Sequence, residues 1–264
     1  MTIPSTGTAL ITGATAGLGA AYADLLAQRG LDLVLVARDK SRLDDAASAL
    51  VAKTGRTIDV LAADLTTREG IRAVEDRILG DGNLNFLVNN AGDGLFGPLS
   101  AADPDTLERL VALNVSAFTR IAAAAAKAFV DRGEAAIVNI GSALALNIMP
   151  ISAAYSATKS YVITFTQGLA QEFADSPVQV QAVLPGGLAT GFWNGSGLEL
   201  DQLPSEIIMA PADAAAAGLA GLDAGELITI PSLPDAGDWA AYDAAREALI
   251  PRLSLATPAP RYQS

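Results

Sequence analysis

Residues 8–19 read Thr8-Ala-Leu-Ile-Thr-Gly13-Ala-Thr-Ala-Gly17-Leu-Gly19. A short apolar run ends at a glycine, and a helical pattern then extends from Leu18 to Arg29, closed by Gly30. This is the signature of a strand, a tight turn and a helix. Gly13 lets the chain turn as it leaves the strand. Gly17 and Gly19 remove side chains where a pyrophosphate would approach backbone N–H groups at a helix N-terminus. The spacing G-x-x-x-G-x-G differs from the commoner G-x-G-x-x-G fingerprint. Taken alone, a βα turn with glycines needed only for packing reads the same way.

The pattern repeats outward from this turn. Apolar runs at Leu31–Ala37, Thr57–Ala62, Asn85–Asn89, Ala135–Ile140, Val178–Leu184 and Glu226–Ile230 predict six further strands. Between them lie helical patterns at Lys40–Lys53, Arg68–Leu79, Asp105–Val130 (long enough to bend), Ser152–Ala174 and Pro211–Leu222. Strands alternating with helices of ten or more residues imply parallel strands joined by right-handed crossovers. The expected fold is therefore α/β: a Rossmann-type, doubly wound, parallel seven-stranded sheet in a single domain. Its ligands belong outside the carboxyl ends of the strands. Residues 1–230 form the dinucleotide-binding catalytic region, with a Gly-, Pro- and aromatic-rich flap at about 186–210. Residues 231–264 supply a last helix, Ala236–Ala248, and a Pro-rich tail within the same domain.

Composition removes many alternatives. The 264 residues are 51% hydrophobic and 17% charged, with a formal net charge of −12. Such a surface repels phosphate backbones and anionic lipid, so nucleic acid and membranes are not expected partners. No signal peptide is read in Met1–Ala9, no apolar stretch is read as long enough to span a bilayer, and a cytoplasmic location is expected. There are no cysteines and no histidines. Thiol chemistry, a Ser-His-Asp triad and a His- or Cys-based metal centre are all impossible, and no metal site is expected. Proton transfer must use a carboxylate, a lysine, a tyrosine or a relay water.

Tyr155-Ser-Ala-Thr-Lys159 offers such a group. An i,i+4 spacing puts phenol and ammonium on one helical face. A nearby cation favours the phenolate and lowers a pKa that is ordinarily about 10. The motif alone is weak, since many helices contain it by chance. Its companions are Ser142 at the end of the fifth strand and Asn114 on the long helix. At the end of the second strand stand Arg38 and Asp39. A guanidinium there suits a ribose 2′-phosphate, so NADP(H) is preferred and NAD(H) remains open; the alternative is a solvated Arg38 with Asp39 on the ribose.

Together these residues resemble the classical short-chain dehydrogenase/reductase family. The likeness covers roughly residues 6–190: the Gly13/Gly17/Gly19 turn, Asp64, Asn89-Asn-Ala-Gly92, Asn114, Ser142, Tyr155/Lys159 and Pro185-Gly186. The resemblance implies an oxidoreductase passing a hydride between a nicotinamide cofactor and a ketone, aldehyde or secondary alcohol. It implies Tyr155 as acid/base and Ser142 on the substrate oxygen. Lys159 would bind the nicotinamide ribose and lower the tyrosine pKa, and Asn114 would hold a water linking Lys159 to solvent. It extends the cofactor set to Gly13, Thr15, Gly17, Leu18, Gly19, Arg38, Asp64 (on the adenine), Asn90, Ala91, Gly92, Tyr155, Lys159, Pro185, Gly186 and Thr190. It also implies a homodimer or homotetramer paired through the long helix and the Tyr155 helix.

Two features depart from the family. Asp93 follows the Asn-Asn-Ala-Gly motif, and Ile228-Thr-Ile-Pro-Ser-Leu-Pro lacks the family's usual Asp-Gly-Gly ending. Leu144, Leu146, Met149, Phe192 and Trp193 are expected to face a mainly apolar substrate, although any of them could simply pack the flap. Two rival readings are a non-catalytic NADP(H)-binding regulator or redox sensor, and a relative that epimerises or dehydrates. The joint presence of Ser142, Tyr155 and Lys159 weighs against the first.

Overall fold

The computed structural model describes residue 4 and residues 6–263, so the reading of Met1–Ala9 lies partly outside the described residues. The strands are β1 (Thr8–Thr12), β2 (Asp32–Ala37), β3 (Ile58–Ala62), β4 (Leu84–Asn89), β5 (Ala135–Ile140), β6 (Val178–Val183), β7 (Gly187–Leu188), β8 (Ile208–Met209) and β9 (Ile228–Thr229). The helices are α1 (Gly17–Gln28), α2 (Lys40–Thr54), α3 (Arg68–Gly80), α4 (Pro104–Val111), α5 (Phe118–Phe129), α6 (Ala153–Glu172), α7 (Pro211–Asp223) and α8 (Ala236–Glu247). Seven strands form one parallel sheet in the order β3-β2-β1-β4-β5-β6-β9, the Rossmann-type arrangement expected from the sequence.

The sheet is covered on both faces, which is why β1, β5 and β6 are buried along their whole length. Alternate side chains divide between two cores. Ala9, Ile11, Leu33 and Leu35 pack with Leu18, Tyr22 and Leu26 of α1 and Leu219 and Leu222 of α7. Leu10, Val34 and Val36 pack with Val74 of α3, Ile121 and Phe129 of α5 and Leu169 of α6. The order in which strands are added reverses at the β1–β4 pair, so the crevice at their carboxyl ends is the topological switch point.

Two elements differ from expectation. The long helix is interrupted: α4 and α5 are joined by a widened π turn, Ala112–Ala117, that contains Asn114. β9 keeps only two of the five residues expected; the backbone N–H of Glu226 donates to Gly221 O at 2.9 Å, outside the sheet, and its carboxylate accepts a 2.6 Å hydrogen bond from Thr229 Oγ1. Contrary to the sequence reading, one described stretch, Pro104–Phe129, is long and apolar enough to cross a membrane. Within the fold Phe118, Ile121, Ala125 and Phe129 of this stretch belong to the core.

The chain divides into two compact units, residues 1–231 and 232–264. The second holds α8, on which the rings of Trp239 and Tyr242 lie with their centroids 5.3 Å apart.

Candidate active site

The site is built at the carboxyl ends of β1, β4 and β5. Gly13 and Gly17 hold φ values of +68° and +54°, a region that L side chains disfavour. A Cβ on Gly19 would fall onto the Gly13 carbonyl oxygen, so α1 can start this close to the turn only with glycine there. Helices α2, α3 and α4 are each capped by a side chain, from Asp39, Thr67 and Asp103. Helix α1 starts after Ala16 with no side-chain cap. Its first N–H groups are thus available to an anion, and the glycine cradle leaves room for one.

Neighbouring residues brace this turn rather than line it. Asn90 Nδ2 donates to the carbonyl oxygens of Thr12 at 2.8 Å and Gly13 at 3.4 Å. Thr12 Oγ1 accepts from the backbone N–H groups of Asn90 and Ala91, both at 2.9 Å. Leu18 points into the core. Thr190 closes the turn from the flap side, since a Cβ on Gly17 would stand 3.0 Å from its methyl group. Pro185 is buried, and its carbonyl accepts from Ala143 N at 2.9 Å; Gly186 is exposed.

At the other end of the crevice Arg38 is exposed after β2. Asp39 is committed elsewhere: its carboxylate accepts from Arg42 N at 3.2 Å as the N-cap of α2. Asp64 accepts from Thr66 N at 2.9 Å and Thr66 Oγ1 at 2.8 Å, and these bonds hold its pKa below the usual value; Arg38 and Arg109 add a smaller attraction.

The chemical centre is apolar and closed. Tyr155 and Lys159 on α6 and Ser142 after β5 are all buried. Burial pushes the Tyr155 hydroxyl up to about 12, outweighing a hydrogen bond with Ser142 that lowers it. Burial also draws Lys159 down to about 8. For Tyr155 the upward push of burial is thus larger than any lowering influence around it. Nζ stands 5.8 Å from the phenol ring centroid and donates to the Ile140 carbonyl at 2.9 Å. Asn114 uses both amide protons, toward Asp93 O at 2.9 Å and Thr158 Oγ1 at 3.1 Å, and its Oδ1 accepts from Asp93 N at 2.9 Å. Thr158 Oγ1 in turn donates to Tyr155 O at 2.8 Å. Asn114 thus ties the loop after β4 to the second turn of α6. Gly92 leaves space beside it, for a Cβ there would meet Asn114 Oδ1 at 3.1 Å and Lys159 Nζ at 3.5 Å.

A family profile described as short chain dehydrogenase matches residues 7–199. The chain belongs to the classical short-chain dehydrogenase/reductase family. A short-chain dehydrogenase from Sphingobium yanoikuyae, solved in complex with NADPH, is 43% identical with a TM-score of 0.93, covering 97% of this chain and 100% of that one. The bulky-bulky ketone specific alcohol dehydrogenase from Comamonas testosteroni is 41% identical with a TM-score of 0.90, covering 99% of this chain and 100% of the other. The bovine (Bos taurus) very-long-chain 3-oxoacyl-CoA reductase is 34% identical over 186 residues, 69% of this chain and 59% of that protein. The chain thus spans less than two thirds of the length of such curated relatives.

Within this dehydrogenase, the substrate-side residues sort into two groups. Leu144, Phe192 and Trp193 join Tyr155 in one apolar cluster. Trp193 faces inward, with Nε1 donating to Leu188 O at 2.8 Å. Leu146 and Met149 lie outside that cluster, which Ile151 joins instead; Leu146 is exposed. Sequence reading missed two residues. Phe96 lies 5.3 Å from Tyr155 and 5.8 Å from Trp193 between ring centroids. Its signal was an aromatic in an otherwise Gly- and Asp-rich loop just beyond Asn89-Asn-Ala-Gly92. Arg42 reaches the glycine turn, with Nη2 3.4 Å from Thr15 O. Its signal was a second arginine in the first turn of the helix after Arg38.

Proposed function

We propose that this chain is an NADP(H)-dependent oxidoreductase interconverting a mainly apolar ketone or aldehyde and the corresponding alcohol, with Tyr155 as general acid/base. The observation that carries this reading is the gathering of Tyr155, Ser142 and Lys159 in one buried centre beside an uncapped, glycine-cradled helix start. The cofactor, when bound, supplies or accepts the hydride.

Each residue has a task that its surroundings support. The high pKa of Tyr155 keeps its hydroxyl protonated at neutral pH, so it can donate to a nascent alkoxide. Ser142, already hydrogen-bonded to that hydroxyl, is placed to donate to the same substrate oxygen. Lys159 presents a cation whose charge is sensitive to pH just above neutrality. Asn114 is a positioning residue that sets α6 against the loop after β4. The glycine turn and the N-terminus of α1 would hold the pyrophosphate, and Asp64 is free at one carboxylate oxygen to meet the adenine. Arg38 and Arg42 would clamp a 2′-phosphate, while Asp39 gives one carboxylate oxygen to the cap of α2. Support for NADP(H) also comes from the Sphingobium relative, solved with NADPH. Pairing of α5 and α6 across a two-fold axis in a homodimer or homotetramer is proposed on the same family pattern.

Tyr155→Phe tests the centre. NADPH consumption with a ketone panel should fall by about 100-fold to 10,000-fold, the usual contribution of a positioned acid/base. NADPH affinity, read by fluorescence titration, should stay within about two-fold of the parent, since one hydroxyl of many contacts is removed. Near-normal turnover by the variant would refute the assignment.

A further inference from the structure

The space in front of Tyr155 is filled by side chains from three loops. Phe192, from the flap, lies with its ring centroid 5.7 Å from that of Tyr155 and 5.3 Å from that of Trp193, edge to face with the indole. It fits there because of Gly94: a Cβ on that residue would stand 2.6 Å from Phe192 Cζ. Phe96 and Trp193 stack to form the back of the same box, at an interplanar angle of 24°. The flap and the loop after β4 are clasped together by Phe96 N donating to Ser196 O at 2.7 Å. Trp193 and Phe96 are buried, whereas Phe192 is only half-buried. Two of the three rings are therefore buried walls, and the third is half-buried beside a glycine notch.

We propose that Phe192 is a size gate, and that its seat is the subsite for an aryl ring of the substrate. The inference rests on the oxidoreductase reading above and names its substrate class: aryl ketones and the matching benzylic secondary alcohols. A ring entering the seat replaces the contacts that Phe192 makes with Tyr155 and Trp193, so the box remains filled. A ketone with only small alkyl groups has no ring to offer and leaves Phe192 in place. The seat borders the phenol ring of Tyr155, the residue assigned to the substrate oxygen.

Two measurements on the full-length protein test this. Only Trp193 and Trp239 are indoles in the chain, so Trp239→Phe isolates Trp193 as the fluorescent reporter inside the box. Titration of that variant with 1-phenylethanol should give a saturable change in emission, and titration with 2-butanol should give none. Phe192→Ala, with Phe192→Leu as a milder variant, should lower KM for acetophenone by about two- to ten-fold, the worth of the aromatic contacts no longer displaced. For 2-butanone, KM should not fall with either variant, since that ketone displaces no ring. An unchanged fluorescence with 1-phenylethanol, or equal KM changes for both ketones, would overturn the gate while leaving the general activity intact. Failure of the parent protein to oxidise NADPH with any ketone would instead strike the oxidoreductase reading itself.

Discussion

The glycine turn and the tyrosine box lie at the same end of one sheet, yet they are made from different materials. The turn is a lattice of main chain and amide: Thr12, Asn90 and Ala91 are joined by bonds of 2.8–2.9 Å, and its conformation depends on residues without side chains. The box is made of rings contributed by separate loops, with hydrogen bonds only at its margins. The difference assigns two kinds of recognition. A backbone lattice fits one constant ligand and tolerates little change, whereas a ring box fits a shape and can be recut. Burial in the box also displaces the protonation of Tyr155 and Lys159, an effect the open turn does not impose.

The contrast breaks most sharply at Gly19. In Gly19→Ala the added carbon meets the Gly13 carbonyl and lies 2.6 Å from Asn90 Nδ2. NADPH affinity should fall by about 100-fold or more, equivalent to ~2.7 kcal/mol. Trp193 emission should report an intact box; simultaneous loss of both would show that the two regions are one cooperative structure.

A smaller effect is expected at the arginines. Arg38→Ala and Arg42→Ala should each raise KM for NADPH by about ten-fold or somewhat more, the scale of one charged hydrogen bond. KM for NADH should barely move. Equal losses with both cofactors would mean that the two guanidinium groups stabilise the turn rather than read a 2′-phosphate.

The least effect, and one of opposite sign, is expected at Lys159. Its pKa falls from 10.5 unfolded to about 8 folded, so between those values the folded protein holds fewer protons and gains stability as pH rises. Below pH 8 the full penalty of burying the ammonium is present. Lys159→Met should therefore raise stability at pH 7 by on the order of 1–2 kcal/mol, after allowing for the lost bond to Ile140 O. The advantage should have largely faded by about pH 10.5, where the folded lysine is neutral and the unfolded one is half protonated. Urea melts at about pH 7, 9 and 10.5 would check this; a variant equally stable or less stable than the parent at neutral pH would contradict it.

The turn was readable in the sequence because it is written in local terms. Gly13, Gly17 and Gly19 announce a backbone conformation, and the strand and helix around them follow from hydrophobic period. The Tyr155/Lys159 pair was readable from helical spacing, but Ser142 joined it only by resemblance, since nothing in the spacing of Ser142 and Tyr155 dictates that they meet. The box was least readable. Phe96 and Phe192 are distant in sequence, and only the clasp between their loops brings them to the same tyrosine. The π turn at Ala112–Ala117 was hidden for another reason: Ala-Leu-Asn-Val-Ser-Ala contains no proline or glycine, and its apolar pattern continues smoothly on either side. Lys159 shows where a local rule failed, because a cation beside a phenol was expected to acidify it, and desolvation of both groups is the larger effect.

The short parallel pair β7–β8 has a bearing on how such a protein changes over generations. Gly187 pairs with Ile208 and Leu188 with Met209, so the intervening stretch leaves and returns through a fixed stem. Lengthening a loop between fixed ends is entropically cheap, only ~0.6 kcal/mol for each doubling. The stretch can therefore gain residues and new rings between these ends, provided that Thr190 still seats against Gly17 and the bond from Phe96 N to the residue at Ser196 is kept.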